Sequence, residues 1–282
     1  MYKVIVHPGT AHKDDFLSVS VLLSTLEVAA VYRREATLED LADPFTYVVD
    51  VGMEYDETLR NFDHHQDQTL PCAFHLVMKH LGHHERAMLM FEWYGHMSMM
   101  DVRGPYRTAE HLGVDSSVLF ASSSPIDGYI LSRFSELKEL RRGDLFYRLM
   151  KDFGEDMLAM IGRKMERLER LKIEAQVVPV KHLKAIVSTI AEDPKLSMDR
   201  YLRFLNDEQV AMSITPSIRG GGWEMLRLGN NHQVDFRAVA DNPLIRFVHA
   251  NGFVAKTATL LPLQETLELA TQAVSTPSVF GL

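Results

Sequence analysis

The sequence predicts an α/β protein in two parts: a parallel-sheet domain over residues 1–130 and a smaller α+β domain over 177–282, joined by a helical connector over 131–176. Three observations carry this reading. Short apolar runs alternate with helical patterns through the first third of the chain, as in a parallel sheet with crossover helices. From Asp115 to about Gln176 the pattern is almost purely helical, and from Val177 it turns to strand-like runs.

In order, Tyr2–Val6 is an apolar strand that stops at His7-Pro8-Gly9. Asp14 or Asp15 then caps a helix of about three turns that carries Phe16, Leu17, Val19, Val21, Leu22, Leu23 and Leu26. Val28–Tyr32 is a second strand, Leu38–Leu41 a helical turn, and Thr46–Val51 a third, β-branched strand. Cys72–Leu81 and Glu85–Met100 read as helices. Arg163–Lys172 mixes charges at i, i+3 and i+4, the mark of a solvated helix face. The second domain offers strands at VVPV, KAIVSTI, QVAMSI, WEMLRL and LIRFVHANGFV, then a helix from about Leu263 to Ala273.

With 282 residues, 46% hydrophobic and 24% charged, the composition is that of an ordinary globular chain. No apolar run reaches the ~18–20 residues needed to span a bilayer. The start, MYKVIVHPGT, does not read as a signal peptide. The single cysteine, Cys72, excludes an internal disulfide and a thiolate zinc cage, and the expected location is cytoplasmic. A net charge of −8 argues against coating nucleic acid through bulk charge, but not against an enzyme whose carboxylates hold cations.

Ten of the thirteen histidines fall at or before His111, which places any histidine chemistry in the first half. Four groups put Asp or His at or near strand ends: His7; His12-Lys13-Asp14-Asp15; Asp50; and Asp63-His64-His65. In open parallel sheets ligands sit outside the carboxyl ends of the strands. Carboxylates gathered there repel one another unless cations neutralise them. Asp50 follows Val48-Val49, where an unpartnered charge is costly to bury. Carboxylate with imidazole and no thiolate suits Mn²⁺, Mg²⁺, Fe²⁺ or Zn²⁺. His7, His12, Asp14, Asp50, His64 and a further acid exceed the three or four ligands of one tetrahedral zinc. They fit two ions about 3.5–4 Å apart, the arrangement used for in-line attack on phosphorus.

HPGTAHKDD, YVVDVGMEYD and RNFDHHQ, in that order and spacing, resemble the melanocyte-proliferating-gene family (UPF0160-like) of metal-dependent exonucleases, within the Asp-His-His (DHH) phosphoesterase superfamily. HLVMKHLG (His75–Gly82) and FVHANGFV (Phe247–Val254) extend the likeness. The resemblance implies a DHH-phosphoesterase-like fold with the active site in the cleft between two domains. It also implies a two-metal phosphodiesterase, a 3′→5′ exonuclease on RNA or short oligonucleotides, with two divalent cations, Mn²⁺ or Mg²⁺. By the resemblance, His7, His12 and Asp50 hold one ion, and Asp14, Asp50, His64 and Asp101 the second. His65 faces the substrate phosphate, and Asp63 fixes a histidine ring. The chain departs from the family's pattern in two places. Ala11-His12-Lys13-Asp14-Asp15 stands where the family has Phe-His-Cys-Asp-Glu, and Asp101-Val102-Arg103 where it has Asp-Asn-Gly. The stretch 116–127 has no clear counterpart.

Arg219-Gly220-Gly221-Gly222-Trp223 reads equally as an anion-binding turn and as a plain hairpin turn. The resemblance adds a substrate role for His249, so the substrate candidates are His65, Arg219, Gly220, Gly221, Gly222 and His249. The expected partner is RNA or a short oligonucleotide, with DNA and a homodimer admissible and no membrane. Two other readings stand beside the nuclease: a small-molecule phosphatase or pyrophosphatase of the same superfamily, and a catalytically silent metal- or nucleotide-binding regulatory module.

Overall fold

Three apolar runs, Tyr2–Val6 (β1), Val28–Arg33 (β2) and Thr46–Val49 (β3), pair in parallel with β1 in the middle. Val4, Ile5, Val6, Val48 and Val49 are wholly buried, as strands covered on both faces require. The computed structural model describes residues 1–121, 124–190 and 197–276, which form two compact units, Met1–Arg163 and Lys164–Leu282. Ser122 and Ser123, within the stretch 116–127, lie outside the described residues.

Three short strands complete the first sheet, and two of them, Tyr55–Asp56 and Glu139–Arg141, depart from the predicted parallel pattern. Tyr55–Asp56 (β4) runs antiparallel to Asn61–Phe62 (β5), which lies parallel to β3. Glu139–Arg141 (β6) adds an antiparallel edge to β2, inside the stretch that reads as purely helical, and the order is β4-β5-β3-β1-β2-β6. Runs of two or three residues are too short to show a period of two.

The helices of this unit are Lys13–Thr25 (α1), Leu38–Ala42 (α2), Ala73–His80 (α3), His84–Met90 (α4), Glu92–Leu112 (α5), Ser116–Ala121 (α6) and Pro125–Glu136 (α7), together with the first part of Leu145–Glu174 (α8), whose residues from Lys164 on belong to the second unit. The predicted helix Glu85–Met100 is thus two helices that break at the extended Phe91, and the second continues to Leu112. α5 kinks at Gly104, whose φ of 74° is followed by Pro105. Cys72, fully buried, sits at the N-terminus of α3, and its N–H donates to Ser98 Oγ of α5. Gly154 of α8 faces α1 so closely that a Cβ there would strike the carbonyl of Ser20, so this helix contact depends on glycine.

The second unit holds Gln176–Val180 (β7), Leu183–Val187 (β8), Val210–Pro216 (β9), Trp223–Arg227 (β10), Ile245–Val248 (β11) and Val254–Thr257 (β12), in the order β11-β12-β10-β9-β8-β7. Among the described residues of this unit, only β8 and β9 pair in parallel. Ala211, Ile214, Met225, Phe236 and Leu269 belong to its core. The helices Met198–Leu205 (α9) and Leu263–Gln272 (α10) accompany the sheet, and α9 has no counterpart in the sequence reading. LIRFVHANGFV is two antiparallel strands, because the chain reverses at His249–Gly252 with Gly252 at φ 68°. Among the described residues, no helix is long and apolar enough to cross a membrane.

Candidate metal centre

The strand order places β5, β3 and β1 side by side, about 4.8 Å apart. Their carboxyl ends run into Asp63-His64-His65, Asp50 and His7, so residues far apart in sequence meet at one edge. α1 starts beside them, with His12 at its N-cap and Asp14 and Asp15 in its first turn, where the helix dipole favours negative charge. α5 brings Asp101.

Four overlapping sets each bring their ligand atoms within 4.8 Å of one another: Asp50, His64 and His65; His7, Asp15 and Asp50; His12, Asp14 and Asp50; and Asp14, His64 and Asp101. Asp50 belongs to three of them. His64 Nε2 lies 3.2 Å from Asp50 Oδ1 and 3.2 Å from Asp101 Oδ2, yet it has no aligned hydrogen-bond partner. Both carboxylate oxygens of Asp14, Oδ1 of Asp50 and Nδ1 of His7 are also buried without a partner. Orphaned acceptors of this kind cost about 1–3 kcal/mol each. Divalent cations would satisfy them, and the donor set of carboxylate and imidazole suits hard to borderline ions. The residues present therefore fit a metal.

Titration behaviour reflects the crowding. Burial, followed by the charges of Asp50 and Asp101, pushes Asp14 well above the carboxylate range. Burial raises Asp15 to about 7 against the opposing pull of Arg33. Burial lowers His7. Burial also opposes charge on His64, but the Asp101 and Asp50 carboxylates outweigh it and lift the group to about 10.

Two residues hold the frame. Asp63 Oδ1 accepts from the His64 N–H at 2.7 Å, the His65 N–H at 3.1 Å and His65 Nδ1 at 2.7 Å, and its Oδ2 accepts from the Met53 N–H at 2.7 Å. These bonds hold Asp63 below the usual carboxylate range despite its burial. One carboxylate thereby ties the loop after β5 to the loop after β3, where Asp50 and Met53 have φ of 57° and 56°. Arg33, at the end of β2, reaches Asp15 at 3.5 Å and the Gly9 carbonyl at 3.0 Å, stacked 4.2 Å over Phe134. Asp15 and Arg33 escape sequence reasoning as site residues: Asp15 reads as a helix cap, and Arg33 as one of two adjacent arginines. The available signal was Arg33's place at the same carboxyl edge.

His7, His12, Asp14, Asp50, His64, His65 and Asp101 thus come together in the first unit, with Asp63 behind them. Arg219, Gly220, Gly221, Gly222 and His249 lie in the second unit and join none of these sets. There, Gly220 has φ 139° and a Cβ would strike the Arg246 guanidinium, whereas a Cβ on Gly222 would strike the Thr257 carbonyl. Gly221 has open space around it, so the tight backbone positions in this run are its two neighbours. His249 Nδ1 accepts from the Asn251 N–H at 3.1 Å and its ring packs on Phe253, which closes the turn between β11 and β12.

No curated protein matches the chain. Two solved structures align along most of it at low similarity. An uncharacterised protein from Helicobacter pylori G27 is 9% identical, with 96% of this chain and 99% of that chain covered and a TM-score of 0.25. An exopolyphosphatase-related protein from Bacteroides fragilis is 10% identical, with 96% and 91% covered and a TM-score of 0.27. The segment that carries β1 to β5 and most of the clustered residues is the one a family model matches: residues 3–97 are similar to MYG1_exonuc, an uncharacterised protein family (UPF0160).

Proposed function

We propose that the first unit is the catalytic unit of a two-cation phosphodiesterase of the DHH type, which removes nucleotides from the 3′ end of RNA or short oligonucleotides. The observation that carries this reading is the set of partnerless buried atoms on Asp14, Asp50, His64 and His7 at one sheet edge. The family's exonuclease name supports it.

His7, His12 and Asp50 would hold one ion, and Asp14, Asp50, His64 and Asp101 the other, with Asp50 shared. The ions would supply Lewis-acid stabilisation of the charge that develops on the phosphoryl oxygens. His65 is half exposed, and its Nδ1–H donates to Asp63. Its Nε2 is therefore the nitrogen left to meet a phosphoryl oxygen. Asp63 is a positioning residue that fixes this ring. Lys13, between His12 and Asp14, lines a mainly apolar cavity of about 620 Å³ with Phe16, Trp93, Met97 and Met100. Such a cavity has room for a nucleobase, with Trp93 as a stacking face.

The test is incubation of the purified protein with Mn²⁺ and 5′-labelled RNA and DNA oligonucleotides of graded length. A ladder that shortens one nucleotide at a time from the 3′ end, abolished by EDTA, is expected. Intact oligonucleotides at every length, or internal cuts only, would refute the exonuclease reading.

A further inference from the structure

We propose that the cavity beyond Asp101 is a second phosphate site, built on Arg103 and Arg107, that seats a substrate phosphate other than the one cleaved. This rests on the phosphodiesterase reading above and narrows it to substrates with at least two phosphates.

The cavity has a volume of about 480 Å³ and is lined by Gln68, Val102, Arg103, Arg107, Glu110 and His111. Its two walls leave from one contact in the metal cluster. Val102 and Arg103 directly follow Asp101, and Gln68 lies four residues beyond His64, while His64 and Asp101 approach to 3.2 Å. An anion seated here is therefore next to the cluster but not in it.

The kink in α5 shapes the site. Gly104 has open space where a Cβ would stand, so its need for glycine comes from its φ of 74°. Thr108 Oγ1 donates to the Gly104 carbonyl at 2.8 Å and the Met99 carbonyl at 3.1 Å, which pins the bend. Arg103 before the bend and Arg107 after it both line the cavity.

Charge makes the same case. In a chain of net charge −8, Arg33, Arg34, Arg133, Arg141, Arg142 and Arg237 each face a carboxylate. Arg103 and Arg107 are exposed, and among the described residues neither has an ion pair or a hydrogen-bonded side chain. Two guanidinium groups stand against one carboxylate, Glu110. The guanidinium fork matches phosphate in a bidentate manner, and Gln68 and His111 add donors of the same use.

Binding without turnover tests this. A 5′-fluorescein-labelled pentanucleotide is titrated with protein in EDTA and, separately, with Ca²⁺ in place of Mn²⁺, across a range of salt. Fluorescence anisotropy is read for wild type, Arg103→Ala, Arg107→Ala and, as a control, Arg142→Ala. Arg142 pairs with Glu27 and bonds the Val28 carbonyl, at the opposite end of the sheet. Each cavity variant, folded by circular dichroism, is expected to bind about tenfold more weakly. Each should also lose about 0.7 from the slope of log K against log salt, while the control keeps both values. Cavity variants that bind as wild type with unchanged slopes would overturn the proposal, as would a wild type that binds no oligonucleotide in either buffer. Displacement of the probe by tripolyphosphate but not by unlabelled oligonucleotide would overturn it too. The two readings separate cleanly. Binding losses without any cleavage in Mn²⁺ would sink the exonuclease and keep the site, and a cleavage ladder with unaltered variant binding would do the reverse.

Discussion

Asp50→Asn is expected to lower kcat on a cleavable oligonucleotide by at least ~10³-fold while leaving the fold intact. Asp50 takes part in three of the four ligand sets, so no other side chain can stand in for its charge. The amide has the same shape and removes only the charge that two cations would share. The backbone is no obstacle either. Asp50 has φ 57°, a conformation that asparagine tolerates about as readily as aspartate. Steady-state kinetics with metal analysis of the variant checks this. Turnover above a tenth of wild type would remove Asp50 from the centre.

The second large effect is on stability. Melting in EDTA and in Mn²⁺ at a hundredfold excess over Kd is expected to differ by ~2.7 kcal/mol, since the ions bind only the folded cluster. For a unit of this size that is about 5–10 °C in Tm. The pH dependence has a definite sign. The folded values of Asp14 and Asp15 are raised, the latter to about 7, so the stability their neutral forms confer is lost as pH rises through them. His64, raised to about 10, acts in the same direction above its unfolded value near 6.5. His7 and His75 are lowered, His75 to about 4, so they oppose this trend until the unfolded imidazoles have lost their protons at about pH 7.5 and contribute little slope above it. The metal-free protein should therefore lose stability from about pH 6.5 to 8.5, with roughly 1 kcal/mol from Asp15 alone. Mn²⁺ stabilisation should grow over the same range, because the ligands must be deprotonated to bind. Calorimetric scans that coincide with and without Mn²⁺, together with no bound metal, would leave the cluster without an ion.

How legible these features were depended on the length scale of the signal. His7 and Asp50 could be placed because each terminates a run of buried β-branched residues, and a polar side chain at such an end has one edge to occupy. His64 and His65 follow a strand of only two residues, so the sequence grouped them with the other candidates near strand ends, but their separate roles came from the resemblance. Asp101 came from the resemblance alone, since nothing in the Met-rich helix around it marks a site. Its approach to His64 is a tertiary fact. The Asp15–Arg33 pair was hidden for a similar reason. The two residues stand eighteen positions apart, on different elements, and each has an ordinary local explanation. In the run Arg219–Trp223 composition announced a turn, but could not say which of three glycines needs its missing side chain.

The chain also carries its own clock. Cys72 is the only thiol, wholly buried at the joint between α3 and α5, and burial, with the charge of Asp14, raises it well above the ordinary thiol range. Thiol reagents attack the thiolate, so the closed molecule is inert to them, and alkylation waits for that joint to part. The rate at which native protein consumes iodoacetamide thus counts openings beside the cluster of Asp and His side chains, residue-specifically and with no label introduced.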